Sequence, residues 1–197
     1  RPATFVVTKD KTFAGYDDVQ AGAWYYDAVA RVTEKGLMNG TSGKTFSPDS
    51  AMTRAMLATV LYRLEGSPAV TAASSFTDVG SGQWYTDAVA WAGAHKIVDG
   101  YGNGVFGVND NVTREQMAAM LLRYANYKKY DTAKTNDLAA YTDAKDISAW
   151  ALSAMKWSNA ESLITGRTAT TLVPAGTATR AEVATILERF CENIVKK

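Results

Sequence analysis

The chain has 197 residues, 21 Lys and Arg against 20 Asp and Glu, one His and one Cys, with 47% hydrophobic and 11% aromatic residues. This composition excludes disorder, and a net charge of +1 provides no general positive field for a phosphate backbone, so nucleic acid is not an expected partner. Cys191 alone makes no internal disulfide, and His95 beside it completes no zinc site, so neither a metal nor a cofactor is expected.

Residues 1–15 read as an N-terminal lead or linker. They have neither the basic start nor the apolar core of an export signal, and the chain lacks an initiator Met, which suggests a mature product or an excised fragment. No later run reaches the roughly 18–20 apolar residues that cross a bilayer, so membrane insertion is not expected. From residue 16 onward one order of landmarks occurs three times. The first copy, 16–70, reads Tyr16-Asp17-Asp18-Val19, Trp24, Leu37-Met38-Asn39-Gly40, Phe46-Ser47-Pro48 and Met52-Thr53-Arg54-Ala55. Its first helix is predicted from about Trp24 for some three turns, on the spacing of Ala28, Val29 and Val32. Its second begins after Thr53, whose side chain can cap a free first-turn amide, and carries the apolar stripe Leu57, Val60, Leu61 and Leu64. Gly66 and Pro68 end it, and a linker follows at about 66–75.

The second copy, 76–131, follows 60 residues on: Phe76-Thr77-Asp78-Val79, Trp84, Ile97-Val98-Asp99-Gly100, Phe106 and Val112-Thr113-Arg114-Glu115, with Met117, Met120, Leu121 and Tyr124 as its stripe. The third, 141–195, is looser: Tyr141-Thr142-Asp143-Ala144, Trp150, Leu163-Ile164-Thr165-Gly166, Leu172-Val173-Pro174 and Ala178-Thr179-Arg180-Ala181, with Val183, Ile186, Leu187 and Phe190. It holds one extra residue between Asp143 and Trp150, and a linker at about 129–140 precedes it. Gln116 and Glu182 are placed to complete capping boxes, whereas Met56 leaves the first copy with Thr53 alone. Lys128-Lys129 and Lys196-Lys197 set cations near the negative ends of the second and third of these helices. A unit of about 55 residues buries too little apolar surface to be comfortably stable, so the reading is all-α: three helix-loop-helix repeats sharing one core with pseudo-threefold symmetry and grooves between copies.

Arg54, Arg114 and Arg180 each open a helix, where a cation is mildly disfavoured by the macrodipole and needs a negative partner. Guanidinium, dipole and free amides converging there would make a carboxylate site. The alternative is internal pairing of each Arg with its own copy's Asp18, Asp78 or Asp143. A second Arg recurs ten residues after each Thr (Arg63, Arg123, Arg189) and reads as a tie between helices. Trp24, Trp84 and Trp150 suit either a core anchor or the C–H face of a sugar, whereas Trp91 and Trp157 read as structural. Gly40, Gly100 and Gly166 fit a positive-φ turn or close approach of a ligand. The stretch Gly100 to Gly104 reads as a turn, Asn109-Asp110-Asn111 lacks calcium-loop spacing, His95 reads as a helix end, and Cys191 as lying near a fraying terminus. With no other His or Cys and no defensible carboxylate constellation, no enzyme activity and no catalytic residue is expected.

The order Phe/Tyr-x-Asp-Val, Trp, Leu/Ile-x-x-Gly, Phe-x-Pro and Thr-Arg-Ala-Glu, three times over, resembles the S-layer homology (SLH) domain in tandem. The resemblance implies a three-pronged spindle around a central helical bundle, and a role in attaching an exported or S-layer protein to the bacterial cell wall. The implied partner is a secondary cell-wall polysaccharide bearing pyruvylated N-acetylmannosamine, alongside the domains of the parent protein. Carried over, Arg54, Arg114 and Arg180, beside Thr53, Thr113 and Thr179, hold the carboxylate. Asn39-Gly40, Asp99-Gly100 and Thr165-Gly166 line the sugar site, with Trp24, Trp84, Trp150, Asp18, Asp78 and Asp143 as further contributors. Thr-Arg-Ala-Met and Thr-Arg-Glu-Gln depart from the family pattern in the first two copies, and Asp99 adds a negative charge to the second. Two other readings stay open: direct binding of peptidoglycan, and a purely structural assembly module.

Overall fold

A computed structural model describes residues 16–195, so the lead segment 1–15 and Lys196-Lys197 lie outside the described residues. Six α-helices follow one another: α1 (Tyr26–Glu34), α2 (Arg54–Leu64), α3 (Thr86–Ala94), α4 (Arg114–Tyr127), α5 (Leu152–Ala160) and α6 (Arg180–Phe190). Two 3₁₀ turns, Ala144–Asp146 and Ala149–Ala151, precede α5, and a π turn, Cys191–Val195, follows α6. Among the described residues the fold is all-α, with three isolated β-bridges.

The even-numbered helices start where Thr predicts. Thr53, Thr113 and Thr179 are extended and accept a hydrogen bond from the amide three residues on, at 3.1–3.2 Å. Only α4 closes the reciprocal box, Gln116 Oε1 accepting from the Thr113 amide. The expected box at α6 does not form, because Glu182 turns its carboxylate toward the Thr179 hydroxyl and two guanidinium groups. The odd-numbered helices begin two residues after Trp24, Trp84 and Trp150, later than predicted, which leaves each indole in the preceding turn. Their ends are Schellman closures. At α1 the Gly36 and Leu37 amides donate to Thr33 and Val32; Lys96 and Ile97 at α3, and Ser162 and Leu163 at α5, repeat the pattern. The buried Leu37, Ile97 and Leu163 that open the Leu/Ile-x-x-Gly landmark are therefore the apolar residues of these closures.

Packing crosses copy boundaries: α2 pairs with α3, α4 with α5, and α6 with α1. Each pair thus joins one copy's second helix to the next copy's first. Trp91 and Trp157 are buried in two of the pairs, as expected of structural residues. In the third, Arg31 holds the corresponding place and forms ion pairs with Glu188 and with Glu192, the latter at 2.7 Å. The three copies close on one another through Met52, Val112 and Ala178, all buried. Met52 N–H donates to Ala178 at 3.0 Å, Val112 N–H to Met52 at 2.8 Å and Ala178 N–H to Val112 at 3.4 Å. His95 caps α3, but Cys191 is buried at the start of the π turn and not at a fraying end.

Candidate functional site

Each copy's Thr-Arg pair faces the next copy. The main-chain amides of Arg54, Arg114 and Arg180 donate to Asp110, Gly176 and Ser50, each at 2.8 Å. In α4 and α6 the second amide is also taken, Glu115 by Pro174 and Ala181 by Pro48, while the Thr hydroxyl takes the third. At α4 and α6 the first three amides are therefore taken by protein, so the expected convergence of free amides with the guanidinium is not built there; at α2 the first and third are taken.

Arg54, Arg114 and Arg180 are buried residues, at 6%, 5% and 6% exposure. Arg54 donates from Nε to Phe106 and from Nη2 to Asp99, each at 2.9 Å. Arg114 donates from Nε to Leu172 at 2.8 Å and from Nη2 to Thr165; Arg180 donates from Nε to Phe46 at 2.8 Å and from Nη2 to Asn39 at 2.5 Å. Carbonyl dipoles of the following copy supply the negative partner that the charge requires. Burial pushes all three groups below the usual arginine range, a side chain that nevertheless stays protonated in proteins.

Asp18, Asp78 and Asp143 do not pair with their own copy's Arg. Each spends both oxygens on its own loop: Asp18 on the amides of Phe46 and Ser47, Asp78 on Phe106 and Gly107, Asp143 on Leu172 and Val173. The Phe106–Gly107 peptide thus links Asp78 to Arg54 of the preceding copy: its Gly107 N–H donates to the carboxylate while its Phe106 C=O accepts from Arg54. For Asp78 and Asp143 burial by itself would raise the pKa, but the main-chain donors outweigh it and hold both below the usual carboxylate range.

Two of the grooves between copies are each built by all three copies. The first, about 440 Å³, combines Arg54, the segment Val98–Gly102, Gln116, Met120 and Arg123 of α4, and Trp150. The second, about 290 Å³, combines Arg114, Leu163–Arg167, Glu182, Ile186 and Arg189 of α6, and Trp24. Trp24, Trp84 and Trp150 are 69%, 61% and 56% exposed, so none is a core anchor. In the first groove the Arg54 guanidinium lies 4.8 Å from the Tyr101 ring centre and 4.7 Å from that of Phe106, a cation–π seat, and Asp99 pairs with Arg123 at 3.1 Å. In the second, Glu182 lies 3.6 Å from Arg114 and 3.4 Å from Arg167. At the third junction Arg180 lies 4.6 Å from the Phe46 ring centre, and Arg63 donates to Leu37 at 3.2 Å.

Of the predicted residues, Asp99, Gly100, Thr165 and Gly166 line the grooves, while Thr53, Thr113 and Thr179 are spent as caps and the three Asp on their loops. Gly40, Gly100 and Gly166 have ordinary negative-side backbone; what they need is space, since a Cβ at Gly40 or Gly100 would come within 2.6 Å of a neighbouring carbonyl oxygen. Arg123 and Arg189 are groove residues, not only ties between helices. The spacing concealed this: nine residues along a helix is two and a half turns. Arg114 and Arg123 of α4 accordingly point into different grooves. Among the described residues no three His, Cys, Asp or Glu side chains converge on a metal position, and no helix is long and apolar enough to cross a membrane.

The family model of the S-layer homology domain matches residues 15–56, 75–118 and 140–184. The chain is 30% identical to an amylopullulanase of Thermoanaerobacterium thermosulfurigenes over 93% of its own length and 10% of that protein's. It is 32% identical to an S-layer protein of Bacillus thuringiensis subsp. finitimus, covering 88% of the chain and 21% of the relative. With the S-layer protein sap of Bacillus anthracis the identity is 35%, over 72% of the chain and 16% of the relative. The chain therefore spans only a small part of the curated relatives it matches.

Proposed function

The chain belongs to the S-layer homology domain family, and from that premise we propose that it fastens the protein carrying it to the bacterial cell wall by seating a pyruvylated secondary cell-wall polysaccharide in its inter-copy grooves. Its place of work is the cell surface, and it acts as a binding module of a larger protein. The observation that carries the reading is the make-up of each groove. A buried guanidinium forms one wall and an exposed indole another, matching a ligand that pairs a carboxylate with the C–H face of a sugar ring. The carboxylate is assigned to the N–H groups of Arg54 and Arg114 that the carbonyls leave over, with Arg123 and Arg189 as second cations, and Arg180 with Arg63 in the same roles at the third junction. Occupation of several grooves by one polymer would add roughly 10²–10⁴ in avidity, so modest affinity per groove is enough.

Because Arg54, Arg114 and Arg180 also hold the copies together, their replacement confounds binding with folding. The exposed indoles do not. Cosedimentation with bacterial sacculi, intact or stripped of polysaccharide by hydrofluoric acid, is therefore measured for the wild type and for Trp24→Ala/Trp84→Ala/Trp150→Ala. Loss of binding on stripping and in the variant is the expected result. Binding that survives stripping transfers the partner to peptidoglycan, and binding to no wall leaves an assembly module.

A further inference from the structure

The three exposed indoles are not held in the same way. Trp24 meets Tyr25 edge to face at 5.1 Å and 87°, and Trp84 meets Tyr85 at 5.1 Å and 88°. The residue after Trp150 is Ala151, so the third copy lacks this aromatic shelf. It also carries the one-residue insertion before Trp150, and its chain runs through two 3₁₀ turns there. A longer segment without its shelf would leave Trp150 loosely placed over the first groove.

A different device stands at this point. Glu115, 5% exposed in the first turn of α4, accepts the Ser148 amide at 3.1 Å and the Ser148 hydroxyl at 2.8 Å. Ser148 lies two residues before Trp150, and α4 supplies the wall of the groove that Trp150 completes. The corresponding residues of the other two helices, Ala55 and Ala181, have no carboxylate to offer. A buried carboxylate is retained at a cost in desolvation unless its bonds are good, and here both donors come from one residue. We propose that Glu115 is the positioning residue of Trp150: it clamps the inserted segment to α4 and does for the first groove what Tyr25 and Tyr85 do for the other two indoles. Its consequence for wall binding rests on the reading of Trp150 as a sugar platform; the clamp itself does not.

The test separates the two. In a Trp24→Phe/Trp84→Phe background the remaining tryptophans are buried Trp91 and Trp157 and exposed Trp150, so acrylamide quenching and fluorescence anisotropy report on Trp150. Glu115→Ala, a residue that α2 and α6 already tolerate at this place, is expected to raise quenching and lower anisotropy. Glu115→Gln, which keeps an acceptor for the Ser148 amide, stays close to the parent. An unchanged signal in a folded Glu115→Ala protein overturns the proposal. With the native tryptophans restored, Glu115→Ala is expected to weaken binding to intact sacculi by about tenfold, the scale of one lost charge-assisted hydrogen bond. It is expected to have no further effect when Trp150→Ala is already present. If the fluorescence changes while neither Glu115→Ala nor Trp150→Ala weakens sacculus binding, the clamp stands and Trp150 leaves the binding surface. If the two losses simply add, Glu115 does not act through Trp150 and the proposal falls.

Discussion

Arg54 donates to two carbonyls of the following copy, and without it the buried Phe106 carbonyl loses its side-chain donor and the half-buried Asp99 carbonyl loses the tie across the junction. Arg54→Ala is expected to cost about 2–4 kcal/mol in urea unfolding. Arg54→Lys recovers little, because one ammonium does not reproduce the fork that reaches both oxygens. The aspartates act on the same peptides from the other side. Asp78 and Asp143 have folded-state pKa values below the unfolded value of about 3.9, so the unfolded chain binds protons that the folded one does not. Their stabilisation is complete above the unfolded pKa and is lost as pH falls through the depressed folded values. Melting temperature is accordingly expected to fall below about pH 4, and Asp78→Asn to lower it at neutral pH while flattening the acid slope.

The helix ends repeat one geometry with unequal residues. At the left-handed position closing α1, α3 and α5 stand Gly36 (φ 70°), Lys96 (φ 61°) and Ser162 (φ 60°). Only Gly meets that conformation without a steric penalty of the order of 1 kcal/mol. Lys96→Gly is therefore expected to stabilise by about 0.5–1 kcal/mol, read as a higher urea midpoint at unchanged slope. The even-numbered helices show the opposite economy. Their first-turn amides are taken by Thr hydroxyls and by carbonyls of neighbouring copies, completely at α4 and α6 and at the first and third positions of α2, so the start of each helix and the junction between copies are one structure.

At the scale of the molecule every helix pair joins two copies, and so do the three arginine links and the Met52–Val112–Ala178 ring. No copy holds its own two helices together as a closed unit. Thermal unfolding is expected to be a single transition with equal calorimetric and van't Hoff enthalpies. A fragment ending at residue 140 strips α4 of α5 and α1 of α6, and is expected to lack a cooperative transition; a stable, cooperatively melting fragment would contradict this account.

Repeat number, helix type, caps and the apolar stripes were legible in the sequence because they depend on residues within one or two turns of each other. Leu57, Val60 and Leu61, Met117 and Leu121, Val183 and Leu187 are buried as their spacing demands, and Thr53, Thr113 and Thr179 cap where they stand. The groove residues were legible only as a repeated set. That Arg54 meets Phe106 rather than its own Asp18, that Arg123 shares a groove with Arg54 and not with Arg114, and that Trp150 completes a wall begun two copies earlier were decided by tertiary structure. The reason is physical: each copy buries its surface against its neighbours, so both described grooves take their walls from three separate stretches of chain, and no local pattern records which neighbour a side chain will meet.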